Sequence, residues 1–362
     1  MTYKHLPPIG DKFCAIQRFR YCAQKNIFRH AIQSIFGGHN DSFQCLIKEH
    51  YLLGEQSIDT GLILSINAHL WGLIFPLISY GNASQKKYLL PGLLAGDIIA
   101  GHAITEPQAG SDIKALCTEA IATETGFILN GHKRFITNAP IADMLLVYAK
   151  LNNNLSAFIV ERNDLGATFT ETSEVNGCST ATMGEVILQD CFIPSCRLLG
   201  KVGGGNMMIQ GALELERAFI FAGINGIMKW QLDEVINYSR ERKTNGVHLG
   251  HNQAISHKIA EMKLRLDSCI LWVNECARLK DANKRISLAS AQTKLFASEA
   301  FLQSSLDTVQ IMGSNGLIKN NIISTFVYDA LASRLFSGSS EIQKNIIAAL
   351  LGTGDGFKSH NY

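Results

Sequence analysis

The sequence predicts an α+β protein in which a block of short strands lies between two helical stretches. Three observations carry this. Residues 1 to about 100 read as helical. Residues 101–205 hold short β-rich runs separated by turn residues. From residue 206 apolar side chains again recur at the helical period. Segregated in this order, the elements fit layered α+β architectures rather than alternating α/β ones. The organisation expected is an N-terminal helical domain over 1–100, a middle β domain over 101–205 and a C-terminal helical bundle over 206–362.

In the first zone Asp59–Tyr80 is long and apolar, and Gly81-Asn82 ends it. Ser84 is placed to N-cap the short helix that follows. In the second zone strands are expected at Gly126–Gly131, Met144–Ala149, Ala157–Val160 and Glu185–Leu188. Asn130-Gly131 between apolar runs reads as a hairpin turn. Several short strands at this spacing form a small antiparallel barrel or sandwich. In the third zone Leu213, Ile220, Ile224, Ile227 and Met228 line one helix face, and further helices are expected over 222–272, 285–312 and 322–350.

Of the 362 residues 46% are hydrophobic and 18% charged, enough apolar material for two or three packed units. The net charge of +2 gives no global argument for nucleic acid. Locally, residues 1–30 carry six bases (Lys4, Lys12, Arg18, Arg20, Lys25, Arg29) against Asp11 alone. That stretch reads as a solvated helical face or as a docking patch for an acidic partner. Nine scattered cysteines without a CxxC pair match no zinc site and fit reduced thiols, so no metal and a cytoplasmic location are expected. The most apolar stretch, Gly61 to Ser79, is interrupted by Asn67, His69, Gly72 and Pro76, and reads as buried helix rather than a membrane span.

Two stretches carry chemistry. Ala103-Ile104-Thr105-Glu106-Pro107-Gln108-Ala109-Gly110-Ser111-Asp112 sits where helices give way to strands. Pro107 and Gly110 shape a tight loop, and its N–H groups and the Ser111 hydroxyl can meet a phosphate or a ring carbonyl. Asn130-Gly131-His132-Lys133-Arg134-Phe135-Ile136-Thr137-Asn138-Ala139 presents an aromatic and a hydroxyl, Phe135 and Thr137, two apart on a strand. One can stack on a flat ring while the other hydrogen-bonds its edge.

These stretches resemble the TEPxAGSD and K-W-ITN-A motifs of the acyl-CoA dehydrogenase family. The resemblance continues in family order through Pro91–Gly96, Phe192-Ile193-Pro194 to Leu199-Gly200, Leu215-Glu216-Arg217, Arg242-Lys243-Thr244-Asn245-Gly246 with Gln253, Gln310–Gly316 and Phe336–Ile342. It implies an acyl-CoA dehydrogenase-like fold with a C-terminal four-helix bundle. It also implies an FAD enzyme in which a carboxylate removes the α-proton of an acyl thioester while the flavin takes the β-hydrogen.

The family places the base at either of two positions. One falls on Ser337, which cannot serve as a comparable base. The other, as in the isovaleryl-CoA and long-chain enzymes, falls on Glu216, with Glu214 a second carboxylate nearby. The resemblance therefore makes Glu216 the base and leaves Ser337 to polarise the thioester carbonyl through its N–H. It puts Ile104, Thr105, Phe135, Ile136 and Thr137 around the flavin ring, and Gly110 and Ser111 near the pyrophosphate or the thioester arm. Arg242 and Gln310 reach FAD from a neighbouring subunit, which implies a homodimer or homotetramer. Gly313, Ser339 and Glu341 complete the nucleotide end, and Arg217 orients helix and substrate. The carrier is coenzyme A or an acyl carrier protein, and the electron acceptor an electron-transfer flavoprotein or oxygen. Two alternatives stand beside this: a flavin monooxygenase or oxidase on the same fold, and a non-catalytic interaction protein.

Overall fold

The computed structural model describes residues 2–171, 175–318 and 321–354. Five helices open the chain: α1 (Lys12–Gln24), α2 (Phe43–Ser57), α3 (Thr60–His69), α4 (Phe75–Tyr80) and α5 (Ala83–Ala95). A π-turn, Leu70–Ile74, joins α3 to α4, so the apolar run is one continuous helix that Asp59 caps from outside. Every residue from Thr60 to Ile74 is buried. The helix is long and apolar enough to cross a membrane, yet 89% of its most apolar window is covered by the rest of the chain, which makes it a core helix here. Asn82 caps α5, not Ser84. Its side chain accepts from Gln85 N while the Gln85 amide oxygen accepts from Asn82 N, a reciprocal pair that Ser84 is too far inside the helix to make.

Strands β1 (Ala100–Ala103), β2 (Glu119–Ala122), β3 (Gly126–Ile136), β4 (Met144–Leu151), β5 (Asn154–Glu161), β6 (Ala167–Glu171), β7 (Gly184–Pro194) and β8 (Leu198–Leu199) make one eight-stranded sheet. Its order is β6-β7-β3-β2-β4-β5-β8, with β1 parallel to β4. Leu129, Leu145, Val147, Phe158, Val186 and Ile193 fill a core of its own. Asn130-Gly131 is not a turn, because β3 runs straight through it and the β2–β3 hairpin closes at Thr123–Gly126. Gly131 instead sits at a register shift against β7, where a Cβ would come 2.4 Å from Thr118 Oγ1. The apolar runs on both sides belong to the same strand.

The long helix α6 (Gly205–Glu241) begins the third part. A two-stranded hairpin, β9 (Lys243–Thr244) and β10 (Val247–His248), precedes α7 (Gln253–Asp281), α8 (Ser287–Met312), α9 (Ile322–Ser333) and α10 (Ser340–Leu350). The run 222–272 is therefore two helices, since Asn245 and Gly246 take positive φ and reverse the chain. The run 322–350 is likewise broken at 334–339. Ile220, Ile224, Ile227 and Met228 are buried as the helical period requires.

Helix α6 packs on α2, α7 and α8. Its crossing with α2 is so close that a Cβ on Gly54 would lie 1.8 Å from Gly223 O. Gly54→Ala must push two helices apart, and a loss of about 1–3 kcal/mol is expected from such overpacking. A chemical denaturation midpoint checks this, with far-UV circular dichroism unchanged.

The basic N-terminal stretch is not one solvated face. Arg18 is buried and pairs with Asp59 at 2.7 Å, while Lys12 meets Glu171 on the surface. All nine cysteines are free.

Candidate active site

The segment leaving β1 is anchored by a buried ion pair. Glu106 is 3% exposed and Lys133, on β3, is 0% exposed, and their charged atoms lie 2.7 Å apart. Glu106 also accepts from Cys117 N, Thr118 N and Thr118 Oγ1. Lys133 also donates to Ile104 O. Burial works against ionising Glu106, but the Lys133 charge and these hydrogen bonds hold its carboxyl below the usual range. Burial brings Lys133 down to about 8, against the pull of Glu106. Arg134 N donates to Thr105 O, which completes the clamp. Ile104 and Thr105 are thereby fixed beside the end of β3.

At that end β3 bulges between Lys133 and Ile136. Phe135 takes φ +57°, and its side chain stands out 48% exposed under the Arg134 guanidinium. A bulky aromatic in the left-handed region is an outlier that needs a reason, and here it carries the ring out of the sheet core. Ile136 points the other way into that core, so only its main chain faces the site. Thr137 is half-buried, and Asn138 behind it is held by Ser65 and Ala100 O. Gly110 has no atom within 4 Å of where a Cβ would be, and Ser111 is exposed.

The second group gathers on α6. Glu216 is 4% exposed. Its Oε1 accepts from Ser337 Oγ at 2.8 Å, while its Oε2 is buried without a hydrogen-bond partner among the described residues. Glu214 is occupied elsewhere, accepting from Ser287 Oγ. Arg217 Nε donates to Ser337 O at 2.7 Å. Ser337 and Gly338 both take positive φ, at +54° and +94°, a turn the Gln343 amide braces by donating to Gly338 O. The side chains of Glu216, Arg217 and Ser337 thus converge across 121 residues of sequence. His102 of β1, which the sequence did not single out, lies with Nε2 3.6 Å from Glu216 Oε2.

The third group sits apart. Arg242 caps the far end of α6, and Gln310 and Gly313 close α8. Tyr238 Oη donates to Met312 O and accepts from Asn315 Nδ2, tying the two ends together. Arg242, Gln310 and Gly313 are exposed. From Glu216 to Arg242 the helix runs about 39 Å at its rise per residue. Ser339 caps α10, accepting from Ile342 N, and Glu341 follows in its first turn, exposed.

Two residues that hold the site, Glu106 and Lys133, lay inside the motifs without an assigned role. No local signal marked them, since Lys133 lies between His132 and Arg134 and only the sheet brings it to Glu106.

Family models described as "Acyl-CoA dehydrogenase, middle domain" and "Acyl-CoA dehydrogenase, C-terminal domain" match residues 101–191 and 203–352. An L-prolyl-[peptidyl-carrier protein] dehydrogenase of Pseudomonas fluorescens is 33% identical over 344 residues, 93% of this chain and 90% of that protein. Among solved structures, the prolyl acyl carrier protein oxidase AnaB superposes with a TM-score of 0.91 at 34% identity, covering 93% of this chain and 90% of that one. PigA with FAD and proline gives 0.91 at 31% identity, covering 97% and 95%.

Proposed function

This chain belongs to the acyl-CoA dehydrogenase family, and we propose that it oxidises a carrier-bound acyl thioester between the α and β carbons, with Glu216 as the base. The observation that carries the assignment is the Glu216 carboxylate, which is buried and spends one oxygen on Ser337 while the other has no hydrogen-bond partner among the described residues. A carboxylate in such a site is desolvated and pre-aimed, which is what abstraction of a weakly acidic α-proton needs. Ser337 keeps Glu216 oriented through its hydroxyl, and Arg217 fixes the Ser337 main chain. In this reading the Ser337 N–H polarises the thioester carbonyl as negative charge develops on it.

FAD fits the residues present. Phe135 is held out of its own core, and Ile104 and Thr105 are bound to the residues just before it, Ile104 O by Lys133 and Thr105 O by Arg134, with Thr137 two residues further along. Gly110 leaves the loop backbone open to a ligand beside Ser111. When bound, FAD supplies the acceptor for the β-hydrogen as hydride, chemistry no side chain performs. Arg242 lies far from Glu216 along α6, Gln310 and Gly313 lie at the end of α8 that Tyr238 ties to it, and all three are exposed, so they serve the FAD of a second copy, with Ser339 and Glu341 at the nucleotide end. A homodimer is the smallest assembly that completes both sites. Arg242→Ala is expected to lower the flavin-to-protein ratio of the purified protein several-fold, with the thermal midpoint of the apoprotein unchanged. An unchanged ratio contradicts the shared site.

Relatives named for prolyl carrier proteins are 33% and 35% identical to this chain, against 30% for an acyl-CoA dehydrogenase of Bacillus subtilis, which supports a carrier protein over free coenzyme A, and a compact aminoacyl group such as prolyl. Nine unpaired cysteines fit a reducing, cytoplasmic setting. The electron acceptor is an electron-transfer flavoprotein. Oxygen is the second reading, favoured by the oxidase among the structural matches. Presenting one acyl group on coenzyme A and on a carrier protein, and comparing rates of flavin bleaching, tests the carrier. Faster bleaching by the coenzyme A ester overturns it.

A further inference from the structure

The environment of Glu216 contains one group that the proposed reaction has not used. His102 projects from β1 with its side chain 13% exposed, and its Nε2 lies 3.6 Å from Glu216 Oε2. Among the described residues its Nδ1, on the far side of the ring, is buried without a hydrogen-bond partner, as is Glu216 Oε2. A buried carboxylate oxygen with no hydrogen-bond partner among the described residues, facing the Nε2 of an imidazole 3.6 Å away, is costly in a nearly dry site unless a proton is passed or shared between them. The fold takes trouble to hold the ring there. Gly72, in the π-turn between α3 and α4, lets the helix approach so closely that a Cβ would lie 2.9 Å from His102 N and 3.2 Å from its ring. π-Turns inside α-helices are frequent at functional sites.

Removing an α-proton leaves it on a carboxylate that is 4% exposed, and the base must discharge it before it can act again. His102 is the more open of the two groups and the nearer to solvent. We propose that His102 is a positioning residue that relays the α-proton between Glu216 and water. The Cα–H bond breaks and its proton forms an O–H bond at Glu216. That bond breaks as an N–H bond forms at His102, which then returns the proton to solvent. The inference rests on Glu216 being the base.

The electrostatics support the direction of traffic. Burial holds the imidazole below its ordinary value, while the Glu216 charge acts in the opposite sense. His102 therefore rests neutral and takes up a proton only transiently. Among the charged groups nearby, Glu216 on α6 faces it. Arg217 is turned to Ser337 O, Lys294 of α8 to Arg334 O, and His69 of α3 to Leu93 O and Ala100 N.

The test uses the FAD-loaded protein and acetyl-pantetheine, a thioester with α-hydrogens and no β-carbon, so it cannot be dehydrogenated. Deuterium uptake at its α-carbon in D2O is read by mass spectrometry across pH 5–9. His102→Gln, and His102→Asn as the second variant, should exchange at least tenfold more slowly and lose one limb of the pH profile, with flavin content and thermal midpoint unchanged. Wild-type exchange with the wild-type pH profile in both variants overturns the relay. Exchange that persists in Glu216→Gln overturns the base assignment instead, which keeps the two failures distinguishable.

Discussion

Glu216→Gln is expected to fold normally, keep its flavin and lose about 10²–10⁴-fold of its turnover, the range that a positioned general base contributes. Glutamine preserves the side-chain volume and still offers an oxygen to the Ser337 hydroxyl, so the turn at Ser337-Gly338 is not disturbed. What disappears is the carboxylate oxygen that has no hydrogen-bond partner among the described residues. Glu214 does not replace it, because it is engaged with Ser287 on another side of α6. Stopped-flow reduction of the flavin by an acyl thioester gives the rate of the chemical step directly, and the flavin absorbance of the variant shows that its cofactor site is intact. A loss below tenfold removes Glu216 from the role of base.

The second large effect is on stability. Lys133→Met leaves Glu106 buried with its hydrogen bonds but without its cation. Breaking a buried pair from one side costs about 3–5 kcal/mol, because the remaining charge has no compensation. The pH dependence gives the signature. In the wild type Glu106 sits below the usual carboxyl range, so its contribution is present above the unfolded value near 4.5 and is lost as the pH falls through the folded value. Without the lysine, burial dominates and the folded pKa rises above the unfolded one. The variant's deficit should then be smaller near pH 4.5 than at pH 7. Denaturant midpoints at the two pH values measure it, and a deficit equal at both contradicts the account. Because the same pair fixes Ile104 and Thr105 beside Phe135, flavin content should fall with stability.

The sequence made the helix–strand–helix order plain because hydrophobic period and turn residues report it locally. It also pointed to Glu216 through the family resemblance, since Ser337 holds no acid, and the fold brings those two side chains together. What it could not report was contact between distant segments. Asn130-Gly131 carried a strong turn signal, yet that glycine answers to Thr118 across the sheet. The break at 242–252 does carry a local signal, Asn245-Gly246, which turns the β9–β10 hairpin, while the break at 334–339 depends on positive φ at Ser337, a residue without a strong breaker signal. Arg18 read as one of six surface bases but belongs to Asp59 inside the fold. His102 was invisible as a site residue because only the crossing of β1, α6 and the π-turn brings it to Glu216.

The most direct test of the central claim is the visible spectrum of the purified protein under anaerobic conditions while prolyl-loaded carrier protein is added. The account predicts a flavin spectrum that bleaches with the stoichiometry of the added thioester in the wild type and stays oxidised in Glu216→Gln. A protein that takes up FAD but is bleached by no acyl thioester, on carrier protein or coenzyme A, contradicts it.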